Sequence, residues 1–465
     1  MCTVIMAAGA VGAAPLQIRV ATYNASLNRN SAGQLPNDLA TPNNAQAKRV
    51  AEIIQRVAPD VILINEFDYD AGGLSLQRFH DNYLSQSQNL QTALSFPHRF
   101  AAPSNTGVNP KTEVGTGYDF DNNGQVITTP GSESYGNDCY GFGVFPGQYG
   151  MAVYSRLPID STSARTFQKF LWKDMPDAVL PDRTTTPEPS DWYDAAERSV
   201  FRLSSKSHWD VPITLKSGQT FHLLASHPTP PVFDGAEDRN GRRNHDEIRF
   251  WAEYISGAAW IYDDPRAAGD SPDYGGLGAQ ERFVILGDQN ADPVKGDSFN
   301  HAINQVLQHP LVNGMFTPTS PGGGTDTAAF ASGRLRVDHV LPSRAGFSIV
   351  GGGVFWPLAG QPGASLISAS DHRLVWIDLI AMPLIELAVK ELAATPLGND
   401  VTLTWTIQDG IDYAVERSDD LVIWTDLTAD FLKIDPVTKI ATAVDSGGAA
   451  NSPGFYRVAA RIEAP

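Results

Sequence analysis

The sequence lacks several features that would assign a chemistry or a compartment directly. Cysteine occurs only at Cys2 and Cys139, so a disulfide framework is excluded and we expect free thiols. There is no G-x-S-x-G elbow, Walker loop, H-E-x-x-H helix or C-x-x-C pair, so serine-hydrolase, P-loop, zincin and thiol-redox interpretations have no support. Beyond the N-terminus no uncharged apolar run reaches about 18 residues, so we expect no membrane span.

Positive charge is also scarce. The 465 residues include 34 Lys and Arg against 52 Asp and Glu, which gives a formal net charge of −18. This balance disfavours a protein that holds polyanions through a broad basic surface. It does not exclude a nuclease, because a metal ion in a cleft offsets local negative charge. The hydrophobic content of 42% is that of a globular protein, and the length allows two or three domains.

The first residues resemble a shortened export signal. Residues 4–14 are apolar and small, and Ala8, Gly9 and Ala10 fit an A-x-A cleavage site. The basic start of such a signal is missing, and the alternative is a disordered tail. We interpret residues 1–14 as a signal-peptide remnant and expect a secreted protein, extracellular or periplasmic.

The stretch at residues 283–293 organises the rest of the interpretation. Its first four residues are apolar and predict a short buried strand, which Gly287 ends. Asp288 and Asn290 follow. Ligands of α/β sheets bind just beyond the strand ends, so this carboxylate and amide are candidate functional side chains. The alternative is a turn in which both side chains bond the local backbone.

Polar side chains also follow the first predicted strands. Residues 17–23 alternate like a half-buried strand that ends at Asn24, and a helix with an apolar face at 47–57 leads to a strand at 61–64. This order predicts a layered α/β domain. The second strand runs into Glu66, which is either a solvated carboxylate or a ligand of a hard cation such as Mg²⁺.

Histidines and carboxylates recur later in the same kind of position. An apolar strand precedes His227, and the prolines after it stiffen the backbone. Asp338 lies within a strand predicted at 335–341, where its burial requires an internal partner. Asp371 and His372 come directly before the last predicted strand of the domain.

Two further segments leave alternatives open. Arg239, Arg242 and Arg243 precede a helix predicted at 246–257 and form either a solvated face or contacts to a substrate phosphate. The long irregular stretch at 107–150 indicates a lid, a binding loop or an insertion. Within it, three side chains repeat the alternate oxygen ligands of a calcium loop, although its usual glutamate is missing. These candidate structural Ca²⁺ ligands are Asp119, Asp121 and Asn123.

Taken in chain order, the polar residues at the strand ends form a recognisable set. Its members are Asn24, Glu66, His227, Asp288, Asn290, Asp338, Ser370, Asp371 and His372. This set resembles the endonuclease/exonuclease/phosphatase superfamily, the group of deoxyribonuclease I, exonuclease III, sphingomyelinases and inositol polyphosphate phosphatases. The resemblance covers residues 16–382. It implies an α/β catalytic domain of the deoxyribonuclease I type, a four-layer α/β sandwich with two largely antiparallel sheets and helices outside.

The resemblance also implies a metal centre. Glu66 would be the main ligand of Mg²⁺ or Mn²⁺, with Asn24 and Asp371 near the metal. Tyr149 matches a position that lines the phosphate site in the family. A hard cation of this kind takes carboxylate, water and phosphate oxygens.

The remaining positions would act on the scissile phosphate. His372, oriented by Asp338, would contact the phosphate. Asn290 and His227 would hold phosphate oxygens, while Asp288 would position or deprotonate the attacking water. In-line attack on phosphorus needs such a positioned water and donors where charge accumulates.

The implied function is a secreted divalent-metal-dependent phosphoesterase that hydrolyses phosphate esters, in particular phosphodiesters, with activated water. The alternative is an extracellular nuclease of the deoxyribonuclease I type, for which nucleic acid is a substrate only. A binding protein on a non-catalytic scaffold is disfavoured, because all the expected catalytic positions are present. The insertion and the segments 171–175 and 204–210 resemble a secreted bacterial branch.

The C-terminal part changes character after residue 383. Residues 401–407, 413–417, 421–424 and 454–458 read as short alternating strands separated by turn residues. They predict a small all-β sandwich over residues 385–465, similar to fibronectin type III-like modules of secreted bacterial enzymes. We expect this module to bind a cell surface or polysaccharide, or to act as a spacer.

Overall fold

The structure of the chain is a computed structural model that describes residues 17–183, 186, 189–267, 269–278 and 281–381. It also describes six strands of the C-terminal part. The chain divides into two compact units, one of which is Leu16–Ile380 and the other of which contains Ala381–Pro465. The predicted signal-peptide remnant at 1–14 lies outside the described residues. No helix in the described part of the chain has the length and apolar composition needed to span a bilayer.

The strands of the larger unit are β1 (Gln17–Leu27), β2 (Val61–Phe67), β3 (His98–Phe100), β4 (Met151–Ser155), β5 (Arg165–Thr166), β6 (His208–Thr214), β7 (Thr220–Ser226), β8 (Phe283–Asp288), β9 (Ala328–Phe330), β10 (Gly333–Leu335), β11 (Asp338–Pro342), β12 (Phe347–Val354) and β13 (Val375–Ala381). Its α-helices are α1 (Gln34–Asp38), α2 (Ala45–Val57), α3 (Leu74–Phe79), α4 (Lys111–Val114), α5 (Glu133–Asn137), α6 (Ala195–Val200), α7 (Arg239–Ile255) and α8 (Asn304–Leu307). Short 3₁₀ turns lie at Trp172–Asp174, Phe299–His301 and Ala364–Ala369, and a π turn at His80–Leu84.

These strands form two main sheets. The first has the order β12-β13-β1-β2-β4-β3, in which β1 and β2 are parallel and β13 and β4 are antiparallel to them. The second has the order β11-β8-β7-β6-β5, in which β7 and β8 are parallel. Strands β1 and β2 contact β8, so the sheets face each other. With α2 on one outer face and α7 on the other, the unit is the four-layer α/β sandwich that the sequence predicts.

Helix α2 covers the outer face of the first sheet. It begins after Asn44, whose side chain caps the helix by accepting the backbone N–H of Ala47 at 3.0 Å. It ends at Ala58, which adopts a left-handed φ of 52° before Pro59. Its buried apolar residues include Val50, Ile53, Ile54 and Val57. Each such side chain contributes about 1.5–3 kcal/mol when fully buried, so the apolar spacing fixes this layer as predicted.

Helix α7 covers the second sheet and begins earlier than predicted. The sequence predicts a helix at 246–257, whereas α7 starts at Arg239. The helix begins earlier because an upstream side chain caps its first turn: Asp234 Oδ2 accepts the backbone N–H of Asn240 at 2.7 Å. Its inward side chains join a buried cluster that is rich in aromatic residues, among them Phe167, Phe250, Trp251 and Tyr254.

The space between the two sheets receives alternate residues of the central strands. In β1 the residues that pack under α2 are Ala21, Tyr23 and Ala25, so the intervening side chains point the opposite way. Among those intervening residues are Thr22 and Asn24. The same alternation directs the other buried polar side chains Asn65, Asp288 and Asp338 between the sheets. The polar residues lie together at one end of this space.

Two predicted elements differ from the structure. The strand predicted at 335–341 is split, because the N–H groups of Arg336 and Val337 donate to Asp292 Oδ2 and Thr327 Oγ1 instead of to a neighbouring strand. A helix predicted near 298–308 is replaced by a 3₁₀ turn and α8. The strands predicted at 61–64, 151–155, 221–226 and 283–286 are confirmed.

The described strands of the C-terminal unit are β14 (Val401–Thr406), β15 (Asp412–Ser418), β16 (Thr425–Asp426), β17 (Leu432–Asp435), β18 (Ile440–Asp445) and β19 (Phe455–Arg461). They form two antiparallel sheets of three strands, β14-β18-β17 and β16-β15-β19. Arg417 of one sheet pairs with Asp445 of the other at 3.7 Å. The strand predicted at 421–424 lies outside the described residues, and the sequence analysis missed β17 and β18.

Candidate active site

The polar residues of the strand ends meet at one edge of the two sheets, around a cavity of about 980 Å³. The predicted residues that line it are Glu66, Tyr149, His227, Asp288, Asn290, Asp371 and His372. Asn24 and Asp338 lie buried behind them and hydrogen-bond to Asp288 and His372, respectively. The structure therefore brings the whole set of predicted catalytic and metal-binding positions into one place.

Asp288 lies at the centre of this site, and three asparagines fix its position. Its backbone N–H donates to Asn65 Oδ1 at 3.1 Å, and its Oδ1 accepts the backbone N–H of Asn290 at 2.9 Å. Its Oδ2 accepts a bond of 3.0 Å from Asn24 Nδ2. Asn24 and Asn65 belong to the first sheet and Asp288 to the second, so these bonds join the two sheets beneath the cavity.

The residue before Asp288 must be glycine. Gly287 has a φ of 142°, which L side chains rarely adopt, and a Cβ there would lie 2.0 Å from the carbonyl oxygen of Ser226. Strands β7 and β8 therefore touch immediately before His227 and Asp288. The close approach brings these two side chains together, with His227 Nε2 at 3.4 Å from Asp288 Oδ2.

His372 lies on the other side of Asp288 and is backed by a carboxylate. Its Nδ1 is 2.9 Å from Asp338 Oδ2, and its Nε2 is 3.5 Å from Asp288 Oδ2. Burial favours the neutral ring, but the negative charges of Asp338 and Asp288 outweigh it and raise the pKa of His372 to about 10. The imidazole is therefore a cation at neutral pH, with Nε2–H available on the cavity side.

His227 has the opposite electrostatic character. Burial lowers its pKa to about 4, and the nearby charge of Lys206 acts in the same direction. Its Nδ1 has no hydrogen-bond partner among the described residues. His227 is therefore a neutral imidazole at physiological pH, although it faces the same carboxylate oxygen as His372.

The charge of Asp288 follows from these neighbours. Burial would raise its pKa, but the charge of His372 and the hydrogen bond from His227 hold the pKa well below the usual range of an aspartate. A carboxylate with a depressed pKa is a weak base. Of the two roles that the sequence leaves open for Asp288, the electrostatics favour orienting a water molecule over removing its proton.

Glu66 is held in a conformation that aims it at the cavity. It lies near the end of β2 with a left-handed φ of 56°, an unfavourable backbone for a glutamate. Its Oε1 accepts a 3.1 Å hydrogen bond from Asn24 Nδ2. Burial raises the pKa of Glu66, and the bond from Asn24 offsets this only in part. A neighbouring cation would stabilise the ionised carboxylate.

Asp371 lies next to this pair on a loop fastened to β1. Ser370 Oγ donates to the carbonyl oxygen of Asn24 at 2.7 Å, and Ser26 Oγ donates to Asp371 Oδ1 at 3.4 Å. The Asp371 side chain is exposed on the cavity side. Together with Glu66 it offers carboxylate oxygens without sulfur or imidazole, the donor set that suits Mg²⁺ or Mn²⁺. The amide nitrogen of Asn24 donates to Glu66 and to Asp288 and thereby connects these two carboxylates.

Another group of possible ligand atoms in the described residues is formed by Asp288, Asp338 and His372, whose ligand atoms lie within 4.8 Å of one another. The imidazole connects the two carboxylates through its own nitrogens. A protonated imidazole has no free lone pair for a metal. The oxygen donors around Glu66 are therefore better candidates for a cation than this group is.

Tyr149 faces the cavity next to residues that the sequence analysis did not select. Its ring packs against Phe142 with centroids 6.4 Å apart, and Phe142 is 44% exposed. The Tyr149 N–H donates to Asp68 Oδ1 at 3.1 Å. Burial raises the pKa of Asp68 to about 7. The only signal in the sequence that could have indicated Asp68 is its position two residues after Glu66 in an acidic stretch.

The predicted calcium loop has a different set of neighbours. Asp119 and Asp121 lie close to each other, but the third carboxylate of the group is Asp138. Asn123 acts mainly as a donor, since its Nδ2 donates to Asp121 Oδ2 at 3.0 Å. Its Oδ1 is used by the N–H of Gln125. The three carboxylates Asp119, Asp121 and Asp138 thus form the acidic group here, and Asn123 as a Ca²⁺ ligand stays a prediction.

Two of the three arginines that the sequence analysis selected, all of which lie in the first turns of α7, have their partners within the protein. Arg243 is buried and donates to the carbonyl oxygens of Leu203, Tyr140 and Arg202. Arg239 lines the cavity but pairs with Glu237. Neither interpretation from the sequence applies to Arg243, which holds loops together.

Comparisons with known proteins found several similar solved structures. An endonuclease/exonuclease/phosphatase from Beutenbergia cavernae is 17% identical, with 95% of this chain and 92% of that chain covered and a TM-score of 0.43. A family protein from Bacteroides thetaiotaomicron is 13% identical (80% and 100% covered, TM-score 0.38). Sphingomyelinase C from Streptomyces griseocarneus is 15% identical (78% and 99%, TM-score 0.38).

No curated protein matches the chain. The sequence profile of the Endonuclease/Exonuclease/phosphatase family, however, matches residues 21–372, which include every residue of the candidate site. Members of this family are in general hydrolases of phosphate esters that depend on a divalent metal ion. The chain belongs to the Endonuclease/Exonuclease/phosphatase family.

Proposed function

We propose that this protein is a secreted, divalent-metal-dependent phosphoesterase that hydrolyses phosphate esters, phosphodiesters in particular, with water as the nucleophile. The observation that carries the proposal is the arrangement around Asp288. The ionised carboxylate of Asp288 lies 3.4 Å from the neutral imidazole of His227 and 3.5 Å from the cationic imidazole of His372. The amide of Asn24 donates to both Asp288 and Glu66. Carboxylate oxygens that suit a cation and imidazole nitrogens that suit a phosphate therefore lie around the same carboxylate, which supports the proposal.

Each side chain has a separate task in the reaction. His372 donates from Nε2 to a phosphoryl oxygen, and Asp338 keeps it protonated and oriented. Asp288 orients the attacking water in line with the bond that breaks. As the new P–O bond forms, the water loses a proton to the solvent and the P–O bond to the leaving group breaks. Asn290 and His227 hold phosphoryl oxygens beside it. Such preorganised donors stabilise the charge that develops on the phosphoryl group.

The cation site would lie at Glu66 and Asp371, next to Asn24. A bound Mg²⁺ or Mn²⁺ would supply charge neutralisation of the phosphoryl oxygens and of the leaving oxygen. The all-oxygen donor set and the raised pKa of Glu66 support this assignment.

The cavity supports a small substrate. Its volume of about 980 Å³ is at the upper end of the range for small-molecule sites. The net charge of −18 gives a long nucleic acid no general attraction. Cleavage of nucleic acid remains the second outcome of the test below, since the catalytic groups would be the same.

The test compares bis(4-nitrophenyl) phosphate, 4-nitrophenyl phosphate and plasmid DNA at low and moderate salt, with Mg²⁺, Mn²⁺ or excess EDTA. We expect metal-dependent hydrolysis of the diester, none with EDTA, and a loss of most of that activity in Glu66→Ala. Lys295→Met, a change at a cavity wall outside the reacting groups, is the control. Faster cleavage of DNA at every salt concentration would favour the nuclease. Full activity of a folded Glu66→Ala protein would refute the site.

Secretion and the role of the C-terminal unit belong to the same proposal. The apolar, small residues 4–14 and the A-x-A site at 8–10 support export. Expression with the native N-terminus should release protein into the periplasm or medium, and N-terminal sequencing would locate the cut. Protein that stays in the cytoplasm with residue 1 or 2 at its N-terminus would contradict export. Binding of the full chain to cell-wall polysaccharide would test the C-terminal unit.

A further inference from the structure

Lys206 is a buried cation in the wall of the catalytic cavity. Its side chain is only 6% exposed. Its Nζ makes one long contact of 3.5 Å with the carbonyl oxygen of Pro228. None of the ion pairs among the described residues includes it. Buried charges are normally paired with an opposite charge. Lys206 is an exception, because its ammonium forms no ion pair with a carboxylate of the described residues.

The other basic residues of the cavity wall all have their partners within the protein. Lys295 pairs with Asp326 at 2.7 Å, and Arg239 pairs with Glu237. Arg243 donates to three carbonyl oxygens. Lys206 is therefore distinct from its neighbours, in that its donors are left for a ligand.

The backbone around Lys206 is fixed by a buried carboxylate. Glu247 Oε1 accepts the N–H of Ser205, and its Oε2 accepts the N–H of Thr229, both at 2.6 Å. The carbonyl oxygen of Lys206 accepts the N–H of Asn105 at 2.7 Å. Both oxygens of Glu247 are thus used by the backbone. They hold the backbone beside Lys206 against the loop that carries His227.

The Lys206 ammonium lies beside two groups already placed at the phosphate. The Pro228 oxygen that it contacts also accepts Asn290 Nδ2 at 3.0 Å, so both nitrogens approach the same oxygen. Pro228 directly follows His227. Burial lowers the pKa of Lys206, while the charges of Glu247, Asp288 and Glu66 favour its protonated form. A phosphoryl oxygen at this point would replace a weak contact by a charge-assisted hydrogen bond.

We propose that Lys206 is a phosphate-binding residue: its ammonium holds a phosphoryl oxygen on the His227 side of Asp288, and it contributes more to the binding of a phosphate group with two negative charges, such as the released product, than to that of a diester with one. The proposal deepens the proposed function and rests on it for the location of the phosphate. A monoester or the released phosphate, as a dianion, interacts more strongly with this charge than a diester monoanion.

Calorimetric titration with inorganic phosphate in the presence of Mg²⁺ tests the binding directly. We expect Lys206→Met to weaken phosphate binding by at least about tenfold, and Lys206→Arg to retain most of it. Lys295→Met is the matched control, because it removes a lysine of the same cavity that is already paired, and should bind as the wild type does. Phosphate affinity in Lys206→Met within twofold of wild type would overturn the proposal. So would a wild type that binds no phosphate.

A second measurement does not depend on variants that fold. In wild-type protein labelled with ¹⁵N-lysine, added phosphate should shift the ammonium resonance of Lys206 and leave that of Lys295 in place. An unchanged Lys206 resonance at saturating phosphate would contradict the contact.

Kinetics separate this proposal from the proposed function. In Lys206→Met, kcat/KM should fall about tenfold more for 4-nitrophenyl phosphate than for bis(4-nitrophenyl) phosphate. Equal losses on both esters would overturn the charge preference. If the wild type hydrolyses neither ester, the proposed function fails, yet the phosphate titration and the lysine resonance still decide whether Lys206 binds phosphate.

Discussion

The two sides of Asp288 carry the same kind of side chain in opposite states. His372 and His227 both approach its Oδ2, at 3.5 and 3.4 Å, and both are buried. His372 has the Asp338 carboxylate behind it, and its pKa is raised to about 10. Within the part of the chain that the structure describes, His227 has no hydrogen-bond partner at Nδ1. Lys206 lies nearby, and the pKa of His227 is lowered to about 4.

Both imidazoles face Asp288 through Nε2, so the difference in charge comes from the group at the other ring nitrogen, which is Asp338 for His372. A buried ring with a carboxylate behind it becomes a fixed cationic donor, whereas a buried ring without one stays neutral. A phosphate would thus meet a charged donor on one side. On the other side the charge would come from Lys206, and His227 would add a neutral contact.

The largest effect should come from removing the cationic ring. His372→Ala should lower kcat/KM for bis(4-nitrophenyl) phosphate by about 10²–10⁴-fold, because it deletes the donor to the developing charge. His309→Ala, a half-buried histidine outside the cavity, is the control and should leave the rate unchanged. An active His372→Ala protein would show that the cationic side is not at the phosphate.

Removal of the Asp338 carboxylate, which lies behind the His372 ring, should bring the charge state of His372 closer to that of His227. In Asp338→Asn the pKa of His372 should fall from about 10, because the charge that raises it is gone while burial still lowers it. The required cation is then lost as pH rises, so the basic limb of the kcat/KM profile moves to lower pH. At pH 8 we expect a loss of at least about tenfold, with partial recovery near pH 6. An unshifted limb would disprove the coupling.

The neutral side should tolerate change better. His227→Ala should lower kcat/KM about tenfold through the loss of one neutral hydrogen bond, without moving the basic limb. His227→Gln keeps a donor of similar reach and should recover part of the loss. The measurement is the pH profile of all three proteins under identical metal concentrations. A loss in His227→Ala as large as in His372→Ala would remove the distinction between the sides.

The smallest expected effect is on protein stability and concerns the backbone conformation of Glu66, the proposed metal ligand. Glu66 has a φ of 56°, where glycine is favoured over residues with a Cβ by about 1 kcal/mol or more. Glu66→Gly should therefore be more stable than Glu66→Ala by about 1 kcal/mol in urea unfolding, though both are inactive. Glu66→Ala as stable as Glu66→Gly would argue against the strained conformation.

Sequence reasoning found the residues that end strands and missed those that support them. Asn24, Glu66, Asp288 and His372 follow or precede apolar runs, and a sheet edge gathers such positions. Asn65 lies inside a strand, and nothing in its neighbours shows that its side chain would bond across to the second sheet. Contacts between residues far apart in sequence leave no local pattern.

Lys206 illustrates the same limit for charge. A lysine before a strand is usually solvated, and its burial here depends on Glu247, which arrives from a helix about forty residues later. The acidic group at Asp119 and Asp121 shows the same limit. Local spacing indicated these two residues, but the third carboxylate of the group, Asp138, comes from farther along the chain.

Gly287 has a consequence for any attempt to redesign this scaffold. Its missing side chain is what lets two neighbouring strands touch, and each strand delivers one reacting group in the next position. A library that varies residue 287 would displace both groups at once and would sample almost only inactive proteins. Engineering of new specificity should leave this residue constant and vary the loops that form the cavity wall, where the backbone has room to change.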